Sequence, residues 1–150
     1  MITNIIKNIL TASGCDLVIY EQSQLVNLQT DLSDSTTIVG VIIVPDSLLL
    51  EVRANAISEH YDPLVIEILQ QARLEDSGDN NASTWFALKQ ITKEIIVRLI
   101  AEATFKTITP VRINRIIERK YDANLIGWSM NIDLYYLYNE NRYPCEPTSP

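Results

Sequence analysis

The chain contains one histidine, His60, in the run Ser58-Glu59-His60-Tyr61-Asp62. Any Ser/His/Asp or Cys/His system would have to use this ring, and no serine stands in a nucleophile elbow to work with it. His60 therefore reads as a surface or turn histidine, and no catalytic residue is expected. One histidine and two distant cysteines, Cys15 and Cys145, also fall short of a tetrahedral zinc set. Asp76, Asp79, Asn80 and Asn81 offer hard oxygen ligands, but their spacing lacks the alternating ligands and closing glutamate of a calcium loop, so a solvated turn is the plain reading. With no metal or cofactor expected, a chelator should leave the fold unchanged.

Four scattered glycines form neither G-x-G-x-x-G nor a P-loop, which leaves nucleotide phosphates without a cradle. Glu51, Glu67, Glu94 and Asp133 fall on the polar faces of expected elements, where an exposed charge is the default. The one positive island runs from Lys106 to Lys120, with Lys106, Arg112, Arg115, Arg119 and Lys120 against Glu118 alone. These five residues are the candidates for contact with another subunit or with a DNA backbone. On a strand, Arg112 and Asn114 share one face, with Arg115 and Arg119 on the other. Tyr135, Tyr136, Tyr138 and Tyr143 crowd the end of the chain, where they either close the core or join a neighbour.

The 150 residues suit one domain, with 47% hydrophobic and 21% charged side chains. A net charge of -7 disfavours general nucleic-acid binding. No secretory signal is apparent near the start, so synthesis and use in a cytoplasm are expected. The longest apolar run, Ile38 to Val44, ends at Pro45, well short of the roughly 20 residues of a membrane helix. Cys15 reads as a small buried thiol following a helix.

Periodicity indicates the helices and strands around these residues. Ile2, Ile5, Ile6, Ile9 and Leu10 mark one face of a helix that Gly14 stops. Asp16 to Tyr20 favours a strand, followed by a polar loop or arm to Thr37. Ile38 to Val44 reads as a central strand forming an antiparallel hairpin with Leu50 to Ala56, whose apolar and polar residues alternate. Asp62 to Leu74 fits helix slightly better than strand, because Leu64, Val65, Ile68, Leu69 and Ala72 share a helical face. Glu75 to Asn81 has turn composition, and Asn81 or Ser83 can cap a helix starting around Thr84. Its stripe of Trp85, Leu88, Ile91, Ile95, Leu99 and Ala103 is flanked by Phe86, Ile96, Val97 and Ile100. Val111 to Ile117 pairs with a strand that has Ile126, Trp128, Met130, Ile132 and Leu134 on one face. The expected architecture is a single α+β domain over 1–138, an antiparallel sheet packed against one long core helix and a short N-terminal helix. An extended tail follows over 139–150.

This order of elements resembles the small α+β ring subunits of bacteriophage necks and tails, the tail-terminator and head-tail connector group. The runs SGDNNASTWFALKQITKEI, ITPVRINRI and KYDANLIGWSMNIDL look like ring or connector proteins of crAss-like phages, over roughly residues 38 to 138. No functional residue carries over. The resemblance implies a virion structural protein, assembled in the host cytoplasm. It would form a homo-oligomeric ring around the DNA channel, between the portal and other neck or tail proteins. Alone it should be a monomer or small oligomer, with the basic segment facing an acidic surface such as Glu75 to Asp79 in the ring. A tail-tube or baseplate subunit, or a small cytoplasmic binding protein, fits the same composition.

Overall fold

The computed structural model describes residues 2–20, 36–53, 56–71, 78–116 and 125–137. It is a mixed α/β structure with a curled sheet and two helices. The elements are α1 (Ile2–Ala12), β1 (Leu17–Tyr20), β2 (Ile38–Ile43), β3 (Leu49–Arg53), β4 (Ala56–Gln71), α2 (Gly78–Ala101), β5 (Phe105–Ile116) and β6 (Leu125–Leu137). The expected tail at 139–150, with Tyr138, Tyr143 and Cys145, lies outside the described residues, as do most of the polar arm after Tyr20 and the segment 72–77.

The N-terminal helix forms where its periodicity predicts. Ile2, Ile6 and Leu10 are buried, each worth roughly 1.5 to 3 kcal/mol relative to exposure. Gly14 ends the turn with φ 107°, a left-handed conformation that glycine adopts without penalty. Asp16 then fastens β1 to β2. Its amide donates to the Ile38 carbonyl at 2.9 Å, and its carboxylate accepts from the Ile38 amide at 2.8 Å.

Several expectations need correction. The sheet is not purely antiparallel, because β1 runs parallel to β2. The hairpin of Ile38 to Val44 with Leu50 to Ala56 does not form. Instead β2 pairs with β1 and with the second half of β4, and β3 pairs with the first half of β4, Arg53 facing Ala56. The nearly continuous apolar run of β2 demands cover on both faces, whereas β3 lies off the main strand path and leaves Leu50 and Val52 exposed.

The segment from Asp62 is strand rather than helix as far as Gln71. Leu64, Ile66 and Ile68 alternate into one core, while Leu69 is buried in another on the opposite face. Burial on both faces blurs the period-2 signal, and the β-branched residues decide for strand. The second helix begins at Gly78, so Asn81 and Ser83 lie within it rather than at its cap, and it ends at Ala101 rather than Ala103. Asp79, Asn80 and Asn81 are thus helical, and Asp76 lies outside the described residues.

The strand order is β1-β2-β4-β6-β5, with β3 alongside β4. Trp85, Leu88, Ile95 and Leu99 of α2 are buried, and the last three join α1 and the Met130, Ile132, Leu134 and Tyr136 row of β6 in the main core. Thr92 is also buried, its hydroxyl donating to the Leu88 carbonyl at 2.8 Å. The second core, on the other sheet face, holds Ile19, Val39, Val41, Leu69, Ile116 and Leu125. Gly127 belongs to the tight β4–β6 contact, where a Cβ would run into the Ile68 carbonyl. Among the described residues, no helix is long and apolar enough to cross a membrane.

Candidate functional site

The hairpin of β5 with β6 forms as its sequence predicts and carries the basic island. Lys106 pairs with Tyr135 and Arg112 with Asn131, which places both cations on the sheet face away from α2, and both are exposed. Arg115, opposite Trp128, turns to the helix side. Its guanidinium lies 4.1 Å from the ring centre of Trp85. Trp85 and Trp128 meet edge to face at 5.9 Å, the Trp128 indole donates to the Trp85 carbonyl at 3.0 Å, and Lys89 lies 5.4 Å from the Trp128 ring. Arg115 thus helps close the seam between sheet and helix, while Lys106 and Arg112 face solvent. Arg119 and Lys120 lie outside the described residues.

The tyrosines divide in the same way. Tyr136 is buried against Phe105, their rings 6.0 Å apart. Tyr135 is half-buried and stacks on His60 at 4.1 Å with ring planes 5° apart. His60 is therefore not a turn residue but a clamped strand residue. Its Nε2 is shielded from solvent and makes no hydrogen bond among the described residues.

Beyond His60, the β4–β6 ladder shifts register. Tyr61 faces Leu134 and Leu64 faces Ile132, so Asp62 and Pro63 together oppose Asp133. The bulge contains a cis peptide bond before Pro63 and draws Asp62 to Asp133. Ligand atoms of His60, Asp62 and Asp133 all lie within 4.8 Å of one another. The Asp133 carboxyl is pushed above its ordinary range, first by a hydrogen bond with Asp62, then by desolvation and the Asp62 charge, against a downward pull from His60. Counting histidines and cysteines could not find this cluster, because the strand register assembles it.

Of the carboxylates expected to be exposed, Glu94 pairs with Arg98 at 2.7 Å on the surface of α2, but Glu67 is only 2% exposed. It lies between Val41 and Ser129 in the middle of the sheet, contrary to expectation. Glu51 and Asp133 are intermediate. Between α1 and α2 runs an open cleft of about 490 Å³ lined by Ile5, Ile9, Ala12 and Ala101, with Arg98 and Glu102 at its polar margin.

Among the described residues, the arm formed by β3 and the start of β4 carries a cluster of exposed apolar side chains. Leu49 is 58% exposed and Val52 71%, with Leu48, Leu50 and Ile57 also open to solvent. On α2, Phe86, Val97 and Ile100 are exposed as well. No protein-family model matches the chain, and no curated protein matches it.

Proposed function

We propose that this chain is a non-catalytic assembly subunit, a tail-terminator-like protein that forms a ring in the neck or head-tail connector of a bacteriophage. The observation that carries this reading is the β3–β4 arm. Leu49 and Leu50 point to opposite sides of one strand, yet both are exposed, so among the described residues neither face of the arm is fully covered. Such a surface gains free energy when a second copy covers it, at roughly 25 cal/mol for each Å² of apolar area removed from water.

Sheet edges supply the geometry. Among the described residues, β3 and β5 each have a strand partner on one side only. If β3 of one copy meets β5 of the next, the contact is heterologous and repeats around a closed ring. Lys106 and Arg112 then lie on the receiving edge strand, placed for an acidic neighbour or a DNA backbone. The resemblance of the YDANLIGW run to connector proteins of crAss-like phages supplies the virion setting. Portal and other neck proteins are the proposed neighbours.

Electron microscopy and protein composition of purified phage particles test the setting. The expected result is one closed layer of this chain at a fixed copy number. Absence of the chain from assembled particles would overturn the virion reading.

A further inference from the structure

We propose that His60, Asp62 and Asp133 form a binding site for one divalent first-row transition-metal ion, of the zinc or manganese class, at the β4–β6 bulge. Three independent features of the geometry converge there. The ligand atoms, one imidazole nitrogen and one oxygen from each carboxylate, already lie within 4.8 Å of one another. Around a metal with bonds near 2.1 Å, such donors sit about 3 to 4 Å apart, a closure within the reach of side-chain rotation. The imidazole is held by its stack on Tyr135, and its Nε2 has no hydrogen-bond partner among the described residues.

Charge points the same way. Two carboxylates this close share either a proton or a cation, and neither Asp62 nor Asp133 forms an ion pair with a cationic side chain among the described residues. Lys106 and Arg112 flank Asp133 on the same sheet face without pairing with it. The donor set selects the class of ion. An imidazole with two carboxylates suits zinc, manganese or cobalt, whereas magnesium and calcium prefer oxygen alone. Three protein ligands leave further coordination positions for water or for a carboxylate of a neighbouring molecule. An ion here would tie the strand carrying the apolar arm to the central hairpin.

The test uses the untagged full chain carrying Cys145→Ser, so that a second thiol does not compete for the ion. After chelator treatment and desalting, ZnCl2 and MnCl2 are titrated in a calorimeter, and the cobalt-loaded protein is examined by visible absorption. One equivalent per chain is expected, with a cobalt spectrum of nitrogen and oxygen ligation and no intense thiolate band. Asp133→Asn and His60→Gln should each weaken binding by more than about tenfold, beyond the lower range for outer-shell changes. Lys106→Gln should strengthen binding by removing a nearby positive charge. Circular dichroism checks that each variant is folded, and exposed Asp62→Asn serves if a more buried variant unfolds. Absence of saturable binding by the folded chain, or binding equally tight in the Asp62, Asp133 and His60 variants, would overturn the site and leave a shared proton between the two aspartates.

Discussion

The two halves of β4 show how one strand can serve opposite ends. After the bulge, residues 65–69 lie between β2 and β6, and Leu64, Ile66, Glu67, Ile68 and Leu69 are all buried. Before the bulge, Ser58 to His60 lies between β3 and β6 with His60 half-buried, while Ile57, paired with β3, is exposed. Hydrogen-bond pairing alone therefore does not decide stability. Cover on the faces does, and the helices supply it to one half. The Asp62–Pro63 bulge marks the change, and the proposed ligand set sits beside it.

The largest expected contrast comes from truncating one apolar side chain in each half. Ile66→Ala should cost about 2 to 5 kcal/mol, the range for a fully buried aliphatic residue that leaves a cavity. Ile57→Ala should cost less than about 0.5 kcal/mol, as at an open surface. Equal losses in urea titration would show that the arm is as tightly packed as the centre. Trp128, opposite Ile68 in the closed half, is half-buried but fixed by its indole bond to the Trp85 carbonyl. Trp128→Ala should cost about 3 kcal/mol, and a loss below about 1 kcal/mol would make the Trp85 seam incidental.

A smaller effect concerns Cys15, which lies against Gly40 where β2 faces Ile68. Burial, and then the neighbouring Asp16 charge, push its thiol up to about 12 from 9.0. A raised folded-state pKa favours the protonated native form, so this contribution is fully present below pH 9 and is lost as pH rises toward 12. Cys15→Ala should remove that part of the alkaline loss, measured as the difference in melting temperature between pH 8 and pH 11. At pH 8 the native thiol should also resist alkylation and react once the chain unfolds. Rapid labelling of Cys15 in the native protein would contradict its placement.

Elements with one clean period were legible in the sequence. The Ile2, Ile6, Leu10 stripe, the Gly14 stop, and the β6 row from Ile126 to Leu134 all follow from local spacing. The second half of β4 was not, because burial on both faces places Val65, Ile66, Ile68 and Leu69 in a run that also satisfies a helix. The partner of β2 was illegible for a different reason: strand pairing is a non-local choice, and a neighbouring strand in sequence is only the default. His60, Asp62 and Asp133 share no local motif. Their convergence depends on a register shift that no spacing rule announces, and the same holds for Arg115 over Trp85.

On the proposed reading, the exposed β3–β4 arm is covered by another copy. Sedimentation equilibrium of the full chain against the double variant Leu49→Lys, Val52→Lys tests it most directly. Both side chains are exposed, so the variant should keep its unfolding free energy within about 0.5 kcal/mol of the original. The original chain is expected to associate reversibly into small oligomers as its concentration rises, while the variant stays monomeric throughout. A monomer at every concentration for both, or unchanged association in the variant, would contradict it.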